Sequence, residues 1–264
     1  MAKLKEFIDR KAPWDATRRD WNRPWLAYTK SQSQWNKLLQ RAERGDAEAE
    51  WEVGDCYREG CRDRQRRVIV GRSRRKALLW LRRAAEHGSS AAQNTLGVML
   101  TNGHGSKNIQ EALSWLRKAF KSGHSIAAQN IAITYRENGD LRKAVEWFRK
   151  SAESSDGDAL VLLGVHYYWG KGVSKQPVTA LRCFRTAMKS KFICEAGKED
   201  ACFWLGLAYF EGKGVPMSLR RAIELFERAN VDDDNPAART MLEHARRAMA
   251  RGQHGLSKSS SPKA

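Results

Sequence analysis

Apolar residues recur along this chain at the spacing of one helix face. In KALLWLRRAAEHG (Lys76–Gly88) they fall at Ala77, Trp80, Leu81 and Ala84, that is i, i+3, i+4 and i+7, with charged residues between them. EALSWLRKAFKSG (Glu111–Gly123) and KAVEWFRKSAESS (Lys143–Ser155) repeat the phrase, and TALRCFRTAMKSK and RAIELFERANVDD repeat it more loosely. Each predicts an amphipathic helix. Between them stand segments of a second kind, such as LGVHYYWGKGV (Leu163–Val173) and LGLAYFEGKGV (Leu205–Val215), which lie 42 residues apart. Their small and aromatic residues also keep helical spacing.

One register orders both kinds. With the glycine of Leu-Gly-x-x-Tyr as position zero, that position reads Gly54, Gly97, Ala132, Gly164 and Gly206. Five residues earlier come Ala49, Ala92, Ala127, Ala159 and Ala201; three later come Tyr57, Leu100, Tyr135, Tyr167 and Tyr209. Position +6 reads Gly60, Gly103, Asn138, Gly170 and Gly212. A mid-helix glycine costs helix propensity, and a close neighbouring helix is the return. A glycine six residues on ends the helix as its C′ residue. The pattern predicts five helix–loop–helix units, with Gly54, Tyr57, Gly97, Tyr135, Gly164, Tyr167, Gly206 and Tyr209 as structural motif residues.

An alanine, then Leu-Gly four positions later, Tyr at +3 and Gly-x-Gly-Val beyond, followed by Lys-Ala-x-x-Trp-Phe/Leu-Arg-Lys-Ala, resembles the Sel-like repeats (SLR). These are short relatives of the tetratricopeptide repeats, and the resemblance runs from about Trp35 to Ala229. It implies an all-α, right-handed α/α superhelical solenoid of about five SLR helix pairs with capping helices, working mainly as a protein-interaction scaffold. Ser33–Gly45 reads as a lone second helix at one end. At the other, Asn235 as N-cap and Pro236 at N1 start a closing helix. The expected organisation is a basic, Trp-rich arm over residues 1–32, the solenoid over 33–250 and a disordered tail over 251–264. Trp14, Trp21 and Trp25 in the arm are expected to pack on the first repeat or to dock a partner.

Charge changes the picture. Lys and Arg number 48 against 30 acids, a net charge of +18, which favours an acidic protein, nucleic acid or another anionic partner. The sequence contains no run of about 18 apolar residues, the length needed to span a membrane, and the N-terminus has no apolar signal core, so a cytoplasmic protein without membrane contact is expected. The five cysteines have no zinc-ligand or C-x-x-C spacing and are expected to be reduced and packed as small apolar groups. No metal or cofactor is indicated. His87 and His124 are expected to be solvated turn residues. Ser73-Arg-Arg-Lys76 and Lys121-Ser-Gly faintly echo β-lactamase motifs, but no Ser-Asp-Asn accompanies them. Secreted, cysteine-rich members of the repeat family have been linked to β-lactam binding; this chain lacks paired cysteines in its repeats. It is expected not to be an enzyme, with a β-lactam-type hydrolase a distant third reading.

Two surfaces stand out. Gly60 to Ala77 spans 17 positions where other repeats span 9 or 10, and the added loop carries Arg62, Arg64, Arg66, Arg67, Arg72, Arg74, Arg75 and Lys76. This loop, 61–76, is the candidate for an anionic partner, nucleic acid included. A column of basic residues (Arg82-Arg83, Arg117-Lys118, Arg149-Lys150, Arg185, Arg228) reads as a solvated face. The second surface comes from comparing registers. Positions −3 and +4 are mostly polar in the middle repeats but apolar in the last two, and Trp169 replaces the polar residue usual at +5. By resemblance to tetratricopeptide grooves, positions −3, +1 and +4 line a concave wall. Val161, Val165, Tyr168, Phe203, Leu207 and Phe210, with Trp169 at the rim, would then bind a protein or peptide, acidic in part.

Overall fold

The computed structural model describes residues 28–101, 106–154, 156–231 and 235–259. Trp14, Trp21, Trp25 and Gly103 lie outside the described residues. Twelve helices are described: α1 (Gln32–Glu43), α2 (Ala47–Glu59), α3 (Arg74–Glu86), α4 (Ser90–Thr101), α5 (Ser106–Lys121), α6 (Ala127–Glu137), α7 (Leu141–Glu153), α8 (Gly157–Trp169), α9 (Pro177–Ala187), α10 (Glu195–Glu211), α11 (Leu219–Arg228) and α12 (Pro236–Ser259). Local chemistry sets their starts. Ser31 and Gln34 form a reciprocal capping box on α1, while Asp46 and Asp156 accept the amides of Ala49 and Ala159, both at 3.1 Å. The Asn235 side chain accepts from the Ala238 amide at 3.1 Å, just ahead of Pro236.

The described residues fall into two compact units, Asn22–Trp147 and Phe148–Ala264, the division passing through α7. In the first, α1 packs on α2, α2 on α3, α3 on α4, α4 on α5 and α5 on α6; in the second, α8 packs on α9, α9 on α10, α10 on α11 and α11 on α12. Each unit is thus a stack of helix pairs, the α/α repeat architecture. The motif glycines explain how close the pairs come. A Cβ on Gly54 or Gly97 would stand 2.8 or 2.6 Å from Leu81 or Leu116, and one on Gly164 or Gly206 would stand 2.5 or 2.9 Å from Phe184 or Phe226. The four partners share one register on the second helices, so hydrogen is the side chain that fits each approach.

The motif tyrosines do a second job. Arg149 donates two hydrogen bonds to the Tyr167 hydroxyl, at 2.9 and 3.1 Å. Arg117 donates to Tyr135, and Arg185 to Tyr209 at 3.3 Å. The basic column is therefore not simply a solvated face: one arginine of a second helix ties to the tyrosine of the next repeat. Arg82 precedes a repeat with Leu100 in place of tyrosine, and it pairs with Glu111 at 2.6 Å instead.

Elsewhere the structure departs from expectation. The inserted segment 61–76 is not an open loop. Its strands β2 (Cys61–Arg62) and β3 (Val68–Val70) form an antiparallel hairpin, and β1 (Tyr28–Thr29) adds in parallel to β2, giving a three-stranded sheet beside the helices. Strand β1 thus lies inside the span assigned to the arm. Helix α12 runs to Ser259, so the tail expected from Arg251 is helical over most of its length. Asn138 does not turn left-handed (φ −83°); Gly139, one residue later, does (φ 82°), because glycine bears no Cβ to oppose it.

Candidate functional site

The apolar groove expected over the last two repeats is filled. Val161, Val165, Tyr168, Phe203 and Leu207 are all buried, and only Trp169 and Phe210 stay half-exposed. The cause is the hydrophobic effect acting on the same apolarity that suggested a groove. Buried Trp204 gathers Tyr168, Trp169, Phe184 and Phe203 around it, with ring centroids 5.3–6.3 Å apart. Tyr168 donates from its hydroxyl to Glu211 at 2.6 Å; burial, then that bond, pushes its pKa well above the usual phenol value. The warning was legible in α8, GDALVLLGVHYYW, which is apolar around its whole circumference and so reads as an interior helix.

In unit Asn22–Trp147 the same registers remain partly open. Trp51, Arg58, Val98, Thr101, Gln129, Ile133 and Arg136, at positions −3, +1 or +4, are half-buried. Polar residues here hold the first helices together without sealing the face. Trp51 Nε1 donates to the Thr95 hydroxyl at 3.4 Å, and Asn130 donates to Asn94 at 2.8 Å, so position −3 of one repeat meets position −2 of the next. Arg58 lies against Asp55 and Glu59, each at 2.5 Å. The result is a mixed face of aromatic, aliphatic and guanidinium groups that the register comparison passed over.

The basic hairpin is firmly built. The Asp63 amide donates to the Arg67 carbonyl and the Arg66 amide to the Asp63 carbonyl, both at 2.9 Å. Arg66 adopts φ 62°, closing a tight turn with a left-handed residue at its end. The buried Asp63 carboxylate accepts the Arg67 amide at 2.8 Å and its Nε at 2.7 Å. Burial alone would raise its pKa; the Arg67 hydrogen bonds outweigh it and hold the carboxyl below its usual range. Arg62 donates to the Arg66 carbonyl at 2.9 Å, Arg72 to the Glu59 carbonyl at 2.7 Å and Arg74 to the Met99 carbonyl at 2.8 Å. Lys76 lies over the Tyr57 ring at 5.1 Å. Arg64, Arg66 and Arg75 are exposed, with no side-chain partner among the described residues.

Other chemistry-bearing residues have structural positions. Ser73 is the N-cap of α3, its hydroxyl accepting the Lys76 amide at 3.4 Å, which accounts for the Ser-x-x-Lys spacing. His87 is not merely solvated: its Nδ1 lies 2.7 Å from the fully buried Glu50 carboxylate, which also meets Arg83 at 2.9 Å. His124 is half-buried, and burial lowers its pKa. Cys56, Cys61, Cys183 and Cys202 are buried thiols, whereas Cys194 is exposed and caps α10. Among the described residues no group of three His, Cys, Asp or Glu side chains is arranged to hold a metal ion, and no helix is long and apolar enough to cross a membrane.

Comparison with known proteins follows this geometry. The Sel1 repeat profile matches residues 47–89, 90–124, 135–156, 157–189 and 199–230, together more than half of the chain. A Sel1 repeat protein of Oxalobacter formigenes is 24% identical with a TM-score of 0.65, over 88% of this chain and 92% of that one. A protective antigen of uropathogenic Escherichia coli strains that displays an SLR fold is 28% identical with a TM-score of 0.70 over 83% of this chain. This chain spans 45% of that antigen's length. No curated protein sequence matches.

Proposed function

This chain belongs to the Sel1 repeat family, and on that premise we propose that it is a non-enzymatic binding module whose protein partner sits on the first-helix face of unit Asn22–Trp147. Sel1 repeats generally mediate protein–protein interaction. The observation that supports this face is the contrast in burial at equal register. Of the nine residues at positions −3, +1 and +4 in this unit, seven stay half-open and only Asp55 and Asn94 are buried, whereas five of their six counterparts in the last two repeats are buried. A face that carries a half-buried tryptophan together with arginines and an amide has the composition of an interface, and the guanidiniums suit a partner that is acidic in part. Trp169 and Phe210 keep enough surface for a smaller secondary contact.

Photo-crosslinking tests the placement. A photoreactive phenylalanine analogue is placed singly at 98, 133, 169 and 210, and at the exposed second-helix positions 114 and 182 as controls, and the protein is irradiated in extract of its native host. A discrete adduct at 98 and 133, absent at 114 and 182, is expected. Adducts confined to 169 and 210 would move the interface to the last two repeats. Equal labelling at every position would remove the specific surface altogether.

A further inference from the structure

The hairpin Cys61–Val70 and the start of α3 form a second surface, separate in kind from the mixed face above. The segment Cys61–Lys76 holds eight cations and one acid, and so contributes +7 of the net +18. The acid, Asp63, is occupied by Arg67 inside the turn. Glu59, at the end of α2, is already 2.5 Å from Arg58 and reaches Arg72 only at 3.7 Å. Arg62, Arg74 and Lys76 spend hydrogen bonds or ring contacts on neutral groups and keep their full charge. Local acids therefore neutralise little of the cluster.

We propose that this hairpin is a phosphate-backbone contact for a nucleic-acid duplex. Three features favour that occupant. Seven of the eight cations are arginine, whose planar fork matches phosphate oxygens two at a time. Four of them, Arg62, Arg64, Arg66 and Arg67, stand on a turn closed by four hydrogen bonds around Asp63, so little backbone freedom is left to lose there on binding. Segment 61–76 contains no aromatic residue, so it offers no stacking platform for unpaired bases, the usual means of gripping a single strand. The remaining excess of +11, from +18 less +7, lies elsewhere on the chain, which fits a polymer with a charge about every 1.7 Å along its axis better than a local acidic motif.

Fluorescence anisotropy on the full chain tests this, using a labelled DNA duplex of arbitrary sequence, about 20 base pairs long, between about 50 and 200 mM salt. The variant is Arg64→Gln, Arg66→Asn and Arg75→Gln combined, which leaves the Asp63–Arg67 pair intact; asparagine tolerates the left-handed backbone at 66. Its control is Lys37→Gln, Lys121→Gln and Arg142→Gln, which removes the same charge from exposed sites on other elements. The wild type should bind, with log K falling steeply against log salt. The variant should flatten that slope by about 2 to 3, near 0.9 for each phosphate it no longer neutralises; the control should change it by less than about 1. The proposal is overturned by no binding at about 50 mM salt, or by a control that loses as much as the variant. It is equally overturned if single-stranded DNA, poly-glutamate or phosphatidylserine vesicles bind more tightly than the duplex in the same buffer.

Discussion

Cysteine 194 and cysteine 56 show how far one residue type diverges once its surroundings are fixed. Cys56 is fully buried between α2 and the sheet, and that burial, chiefly, pushes its thiol up to about 12. Cys61, Cys183 and Cys202 are raised for the same first reason. Cys194 is exposed, and its Sγ accepts the Gly197 amide at 3.2 Å as a helix cap. Only the thiolate attacks a maleimide, and it must be reached. At about pH 8 native protein should take up one maleimide, at the exposed Cys194, and denatured protein should take up five. Mass spectrometry reads the difference; labelling of Cys56 or Cys183 without denaturant would mean that the core opens. Sequence spacing excluded a metal set but could not single out Cys194, because a cap is defined by where the backbone turns.

At the scale of the helix pair, two motif positions should differ in cost. Gly164→Ala gains up to about 1 kcal/mol of helix propensity. Its methyl, however, would lie 2.5 Å from Phe184, a ring fully buried and stacked on Trp204, so it cannot swing aside. Overpacking of this kind costs about 1–3 kcal/mol and should dominate. Tyr167→Phe removes only a hydroxyl that accepts from Arg149, whose exposed guanidinium can turn to water; a loss of no more than about 1 kcal/mol is expected. Urea denaturation of both variants checks the order, and a Tyr167→Phe loss exceeding that of Gly164→Ala would show that the arginine–tyrosine tie, not the close approach, holds the pair. The glycine was legible as a recurrent register position. The arginine–tyrosine tie was not, since its partners stand 18 or 24 residues apart in sequence and meet only across adjacent repeats.

For the molecule as a whole, a stack of repeats needs its last apolar face covered. Helix α12 supplies the cover: Ala238, Met241, Leu242 and Ala245 are buried, and α12 packs on α11, which carries the fully buried Phe226. A chain ended after Asn230 should melt at least several degrees lower and aggregate, as the face of α11 comes into water. A chain ended after Arg251 keeps every one of those residues and should melt like the full protein. Equal melting of the two truncations would remove α12 from the core.

The sequence alone determined the repeat: its period, its five copies, its pairing of helices and its family, because each follows from local spacing that every copy states again. It also marked the inserted basic segment, since an insertion is a matter of counting. Only the tertiary structure decided which registers face water. Tyr168 and Phe203 departed from the polar pattern of the middle repeats, and sequence comparison alone reads such a departure as exposure. In the folded chain both are fully buried, among aromatics brought together from α8, α9, α10 and α11. Likewise the segment around Val68-Ile69-Val70 became a strand because β2 stood beside it to pair with its backbone. Burial belongs to the neighbours of a side chain as much as to the side chain, and in a stack of repeats those neighbours come from another copy.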